Sequence, residues 1–394
     1  MAKLNGKQQG VQTGTFIRLE PNGVVEVERQ EVADAPKARA RRRKRLRIIQ
    51  IAVSLAVVVG IFAGILPGIA DYSEVWASIR SLTRFELVTL LAAAAFANVA
   101  IWPQILASLP GLTLGQSAVT NQASTAVANT LPGGSMLAVG VNFAMCRSWG
   151  FADPAIALST FITFMWNTFF KLGLPVIALV ILAVGGKGSR GLLVGSLVGL
   201  GVLLGTITLL ALMRWRMAIA EAIGSLLGAV ASFLRKLIRR PPVTDWAEAA
   251  VRFRKEAIRL VASRWIPLSV STVVGHLGVY LVLVLAVRDV GVSAREVTWA
   301  QILGVFAFAR LLSALPITPG GLGIVDLGYI GGLVLAGRHH VDVPVAVFHA
   351  QVAAAVLMFR ALTYALQIPL GAFAYFIWQR KTSWRTASPR GLRA

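Results

Sequence analysis

The sequence predicts an all-α, polytopic membrane protein: about six full spans plus two re-entrant Pro-Gly-Gly broken-helix hairpins, arranged as inverted repeats. Three observations predict it. Hydrophobic residues make up 56% of the 394 and charged residues only 14%, with mean hydropathy +0.70, whereas about a quarter of an ordinary soluble domain is charged. The basic residues gather at the ends of apolar runs. One backbone-breaking motif occurs twice, as Pro132-Gly133-Gly134 and Pro319-Gly320-Gly321.

Composition also excludes classes of function. The formal charge of +22 invites a nucleic-acid reading, but no basic motif interleaved with aromatics accompanies it. A single cysteine, Cys146, excludes an internal disulfide and a thiolate metal cluster. The four histidines, His276, His339, His340 and His349, match no metal-ligand spacing. No metal or cofactor is therefore expected. Neither a GxSxG, an HExxH nor a P-loop lysine motif is present, so no catalytic set and no nucleotide-driven pump is read from the chain.

Taken in order, residues 1–36 are polar and mixed in charge, which reads as a disordered cytosolic tail. A basic run at 37–47 then precedes an apolar run at 48–70, long enough to cross ~30 Å of hydrocarbon as a retained anchor. Further spans are expected at 85–109, 155–184, 191–213 and 265–287, and a longer apolar stretch at 344–379 is interrupted by Pro369. Regions 114–149 and 296–337 each read as two short helices hinged on a Pro-Gly-Gly. Helices of ~15 residues are too short to cross comfortably, so each pair is expected to re-enter. The domain plan is thus a tail (1–36), a basic anchor and first repeat (37–213), a linker (214–264), a second repeat (265–380) and a basic tail (381–394).

Positive charge sets the orientation. Segment 37–47 holds eight Lys or Arg, the linker 214–264 holds eleven, and the tail from Arg380 holds five, together 24 of 39. Cytosolic loops carry the basic excess, and placing all three inside requires four crossings and then two, as the spans supply. Both termini are expected in the cytosol of a cell whose inner membrane holds the protein. The linker should lie as amphipathic helix on the anionic inner leaflet, with a second amphipathic helix after Pro241 and Pro242.

The two Pro-Gly-Gly motifs lie 187 residues apart, and shifting the flanking spans by that amount carries them roughly onto one another. Phe170-Lys171 and Phe359-Arg360 follow the motifs at similar distances. Such self-similarity is the mark of an internal duplication. The charge argument gives the halves opposite orientations, and inverted repeats whose broken helices meet near the midplane are a transporter architecture.

A helix interrupted inside the bilayer must satisfy its freed backbone groups on protein, water or ligand. Pro319 ends a helix, glycines at 320, 321 and 323 permit the turn, and the restarting helix presents amides and partial positive charge to an anion. Gly133 and Gly134 would offer a second such end. Three cations stand inside apolar runs, Lys171, Arg310 and Arg360, each costing ~2.5–3.5 kcal/mol at mid-bilayer unless it meets water or an anion. Asp326 either pairs with Arg310 or Arg360 to hold the fold or serves the ligand. Asn98, Asn129, Asn142, Asn167 and Trp166 are further candidates to line a cavity, with Arg147 at its cytosolic mouth and His276 a weaker candidate; a single Asn more often joins helices.

The segments PITPGGLGIVDLG (316–328), Phe359-Arg360-Ala361-Leu362-Thr363-Tyr364 followed by Pro369 and Gly371, and the earlier Leu-Pro-Gly-Gly (131–134) resemble the flippase-like family. This family comprises the transmembrane region of lysylphosphatidylglycerol synthases and the related YbhN- and AglD-like proteins. The resemblance covers residues 48–380. It departs from the family at Asp326, where a Glu is usual, and in the first repeat, where the usual Gly-Glu and following Arg are recoverable only as Arg147.

The resemblance implies translocation of an anionic phospholipid or lipid-linked headgroup between leaflets. The 15 residues after Gln379 are too few for an aminoacyltransferase fold, so the translocating part alone is expected, with a separate synthase as a possible partner. Two other readings stay open: a membrane subunit scaffolding such a synthase, and a glycosyltransferase using a polyprenyl-phosphate sugar, with Asp326 or Asp71 as its acid.

Overall fold

In the computed structural model, residues 18–19, 25–26, 71–131, 133–184, 246–313, 319–337 and 341–381 are described, with isolated helical positions between 194 and 208. The span expected at 48–70, most of that at 191–213, the linker up to 245 and the tail after 381 lie outside the described residues. The chain divides into two units, Met1–Val53 and Ser54–Ala394. In the first, β1 (Arg18–Leu19) pairs antiparallel with β2 (Val25–Glu26). Of the tail expected to be disordered, these four residues alone are described. Asn22-Gly23 between the strands is a hairpin-turn signal that a reading by composition passes over.

Eleven helices are described in the second unit: α1 (Tyr72–Arg80), α2 (Arg84–Val99), α3 (Trp102–Ser108), α4 (Leu114–Thr130), α5 (Gly134–Ser148), α6 (Asp153–Val184), α7 (Trp246–Asp289), α8 (Trp299–Leu312), α9 (Ile324–Gly337), α10 (Val345–Arg360) and α11 (Gln367–Arg380). The unit is all-α and multi-span. Among the described residues, four helical stretches are long and apolar enough to cross a membrane: Arg84–Ser108, Asp153–Ala183, Glu248–Asp289 and Val345–Arg380. They coincide with the spans expected at 85–109, 155–184, 265–287 and 344–379. Phe85, Met136, Phe164 and Phe373 stand more than half exposed on helices, as side chains facing lipid do.

Helix starts follow local chemistry. Thr83 with Glu86, Thr113 with Gln116 and Thr298 with Gln301 form capping boxes at the starts of α2, α4 and α8, each satisfying two backbone donors reciprocally. The same Thr-x-x-Gln device thus opens the first helix of both broken regions. Both regions then turn on a left-handed glycine, Gly133 (φ 67°) and Gly320 (φ 56°), a conformation that a Cβ disfavours.

Two expectations are corrected. The amphipathic helix placed after Pro242 and the span from 265 are one helix, α7, 44 residues long with Pro267 inside it. At 1.5 Å per residue it measures ~66 Å, about twice the hydrocarbon thickness. Its first turns, bearing Arg252, Arg254, Lys255, Arg259 and Arg264, thus extend beyond the apolar layer. The interruption of 344–379 falls at 361–365 rather than at Pro369. Proline cannot donate its amide and crowds the carbonyl four residues earlier. The wider π turn, with Leu366 N–H donating to Ala361 O at 2.9 Å, takes up that strain one turn upstream.

Small residues let the helices close up, as membrane packing favours. A Cβ on Gly278 of α7 would lie 3.0 Å from Ala97 Cα of α2, and one on Gly371 of α11 would run into Ala126 and the Gln122 carbonyl of α4. The larger core joins α2, α7, α8, α9 and α10 through residues such as Leu90, Val282, Phe306, Tyr329 and Val356. A second core sets Leu109, Met145, Trp149 and Ile156 against Ala374 of α11.

Candidate functional site

Three spans and one broken-region helix converge on a polar line through the apolar core. Arg310, on the last turn of α8, donates from Nη2 to His276 Nδ1 at 2.8 Å. His276, buried on α7, meets Asn167 Oδ1 of α6 through Nε2 at 3.0 Å. Asn167 Nδ2 donates to Gln104 Oε1 of α3 (3.1 Å) and to Thr163 O (2.8 Å). Gln104 Nε2 donates to Thr272 Oγ1 at 2.6 Å, and Thr272 donates to Leu268 O at 2.6 Å.

The direction of this line is determined by its first member. An arginine can only donate, so His276 Nδ1 accepts and its proton sits on Nε2, where Asn167 Oδ1 receives it. Every later group donates on one side and accepts on the other. Phe170 stacks on the imidazole, centroids 4.3 Å apart at 6°, holding the ring in plane with its partners. Lys171, the next residue, stands one turn beyond Asn167 on the same face of α6.

The second broken region forms a separate cluster. Arg360 Nε lies 2.5 Å from Asp326 Oδ1, both side chains nearly buried, and Arg360 Nη2 donates to Gly320 O at 3.2 Å. The Nε–Oδ1 contact is off the line of a hydrogen bond, so it is held by charge. Asp326 Oδ2 accepts the Gly323 N–H at 2.8 Å. The carboxylate of Asp326, in the first turn of α9, thus takes one amide at the start of the helix, as acids at helix N-termini do.

The first break joins the second through one aromatic residue. Tyr364 lies in the π turn, its ring packed where a Cβ on Gly320 would stand, with the Arg360 guanidinium 4.5 Å from its centroid. Its hydroxyl donates to the Asn129 carbonyl near the end of α4, and Asn129 Nδ2 donates back to Tyr364 O at 3.4 Å. Gly134 is buried, and a Cβ there would press on the Val127 and Ala128 carbonyls at 2.5 and 2.6 Å. Gly133 borders open space.

Hydrogen bonds group Arg310, His276 and Asn167, with Lys171 one turn beyond Asn167 on α6; Arg360, Asp326, Gly320 and Gly321 stand at the second break; Gly133, Gly134 and Asn129 stand at the first. Asn142 joins Thr120 and Thr160 (3.1 and 3.2 Å), and Trp166 donates to Ser269 at 3.1 Å, so both act as helix joints. Arg147 pairs with Asp153 at 2.6 Å on the exposed surface. Asn98 Oδ1 is buried with no partner among the described residues.

Sequence reasoning missed Gln104, Thr272 and Tyr364 as parts of these clusters. It also missed Glu296, a second buried acid at the edge of 296–337, which accepts the Ser293 and Asp342 amides at 2.7 and 3.2 Å. A glutamine inside the apolar run at 85–109 was a legible signal; the partners of Glu296 lie in a loop and carry none.

Charge compensation distinguishes the clusters. Asp326 is the only acidic residue within 87–152, 154–220, 257–288 or 297–341 of the sequence, and it belongs to Arg360. Among the described residues no carboxylate pairs with Arg310 or Lys171, and Arg310 Nε is buried without a partner. Among the described residues, two part-buried cations of the apolar bundle thus lack a counter-charge.

Comparison with known families gives a match to the model described as "Lysylphosphatidylglycerol synthase TM region", over residues 47–371. No curated protein matches the chain.

Proposed function

Because this chain belongs to the family of lysylphosphatidylglycerol synthase transmembrane regions, a membership that carries a general lipid-handling role, we propose that it moves an anionic phospholipid or lipid-linked headgroup between leaflets. The observation that carries this reading is the pair of uncompensated cations, Arg310 and Lys171, in an apolar bundle. A buried charge without a partner is too costly to keep unless it meets water or an anion. Lipid phosphate is the anion that the surroundings of such a bundle supply.

In this mechanism Arg310 is the principal contact. The line through His276, Asn167 and Gln104 holds its guanidinium in one pose, and Lys171 adds the second charge. Arg360 and Asp326 hold the second break closed upon itself rather than contacting the headgroup. Alternating access comes from the halves rocking as inverted repeats, with Tyr364 and Asn129 as the joint between the two breaks. The repeated Thr-x-x-Gln starts and left-handed glycines support a common origin of the halves. The basic linker and tails favour an inner-membrane protein with cytosolic termini, its linker on the anionic leaflet.

The glycosyltransferase reading loses its acids in this arrangement. Asp326 is buried and doubly engaged, and Asp71 caps α1 by accepting from Ser73 N and Oγ at 2.7 and 2.6 Å.

The test is leaflet exchange of fluorescent phosphatidylglycerol in proteoliposomes holding the purified chain alone. Arg310→Gln and Lys171→Met should lower exchange at least about tenfold at equal folded yield, the scale of losing a charge-assisted contact. Exchange equal to the wild type in both would end this reading. Absence of exchange by the wild type would favour a subunit that scaffolds a separate synthase.

A further inference from the structure

We infer that the Arg310–Lys171 site is matched to a phosphate monoester, a dianion, in preference to a phosphodiester. This rests on the reading that the site receives phosphate, and it adds which kind.

The argument is one of charge balance in a medium that tolerates little imbalance. His276 accepts from Arg310 and spends its one proton on Asn167, so the imidazole is neutral and adds no third positive charge. No acid in the apolar segments remains to subtract one, since Asp326 is neutralised by Arg360. The site therefore carries two positive charges. A phosphodiester brings one negative charge and leaves a cation unbalanced. A monoester, whose second ionisation lies near 6, brings two at neutral pH and balances the site. A headgroup bearing an extra amine, cationic overall, would worsen the imbalance.

Donor geometry agrees with the charge. Arg310 Nη2 is occupied by His276, while Nε is buried without a partner among the described residues, which leaves Nε to engage a phosphate oxygen. Lys171, one turn beyond Asn167 on the same face of α6, can approach a second oxygen as a mobile point charge. A monoester presents three terminal oxygens; a diester presents two.

The shared chemistry, a monoester dianion, could come from a lipid or from aqueous phosphate. The experiment titrates phosphatidic acid and phosphatidylglycerol of identical chains onto the full-length protein in neutral-lipid nanodiscs at pH 7, read by native mass spectrometry. Parallel titrations use sn-glycerol 3-phosphate and inorganic phosphate as soluble competitors.

The wild type should bind phosphatidic acid at least about tenfold more tightly than phosphatidylglycerol, a modest return for one further unit of charge in a partly buried site. Lys171→Met should bring the two affinities within about twofold of each other, and Lys171→Arg, which retains the charge, should keep the preference. Displacement of phosphatidic acid by inorganic phosphate at comparable concentration would support the dianion and assign its source to water. Failure of both competitors to displace it would support the dianion and assign a lipid. Equal binding of the two lipids by the wild type, or a preference that survives Lys171→Met, overturns the inference.

Leaflet exchange of the same lipids separates this result from the proposed function. Exchange of both without a binding preference defeats the monoester inference and leaves transport standing. A preference with no exchange does the reverse.

Discussion

Arg310 Nη2 and His276 Nδ1 are 2.8 Å apart, and because arginine has no acceptor, this contact alone decides which imidazole nitrogen carries the proton. The decision propagates through Asn167, Gln104 and Thr272, each amide turned so that its oxygen faces the preceding donor. A cation on a broken-region helix thereby sets the side-chain orientations of three neighbouring spans.

Replacing His276 by Leu should leave Arg310 Nη2 and Asn167 Oδ1 unpaired, lowering stability by roughly 2–6 kcal/mol, since each lost partner costs about 1–3. His276→Gln should lose less, because an amide accepts at one end and donates at the other. Thermal unfolding in a fixed detergent checks this; equal losses would mean that the line has no preferred direction.

Asp326 and Arg360 form the one buried ion pair among the described residues. Asp326→Asn alone should cost about 3–5 kcal/mol, because it strands a buried cation. The double change Asp326→Asn, Arg360→Met should recover a large part of that loss. A double-mutant cycle measures the coupling; strict additivity would show that Arg360 finds its counter-charge elsewhere.

Gly320 and Gly133 share a left-handed backbone but not their surroundings. Alanine at 133 should cost the backbone term only, roughly 1–2 kcal/mol, since its Cβ meets open space. Alanine at 320 should cost more, because its Cβ collides with the Tyr364 ring. Pairing Gly320→Ala with Tyr364→Ala should narrow the gap between the two sites in unfolding midpoints. Unchanged loss in the pair would show that backbone strain, not the ring, decides.

The Asp71 cap supplies a pH test away from the bilayer. Hydrogen bonds from the Ser73 hydroxyl and then its amide hold the Asp71 carboxyl below its usual value of 3.8. A folded-state value that is depressed stabilises above the unfolded value and is lost as pH falls through the lower one. Opening of α1, followed as faster hydrogen exchange at the Ser73 amide relative to the helix interior, should therefore set in only below about pH 3.8. Asp71→Asn should abolish that pH dependence.

Much of this architecture could be read from the chain. Apolar length named the four described spans, because hydrocarbon admits only backbone that satisfies itself. Pro-Gly-Gly named both interruptions, because proline lacks a donor and glycine alone adopts φ near +60° readily. The presence of cations in apolar runs drew attention to Lys171, Arg310 and Arg360 for the same reason. The Thr-x-x-Gln starts at Thr113 and Thr298 were equally legible, since capping depends on residues three apart.

Which cation meets which partner was settled only in three dimensions. Asp326 could have served Arg310 or Arg360 on sequence grounds; the turn of α9 and the approach of α10 gave it to Arg360 and left Arg310 to an imidazole 34 residues away in the chain. Tyr364 became the joint between the breaks only because a π turn rotated it toward Gly320 and Asn129. Composition and spacing determine what a segment can do by itself, since caps, turns and spans are local. Charge pairing between helices depends on their packing, and packing is set by the shapes of all the contacting faces at once.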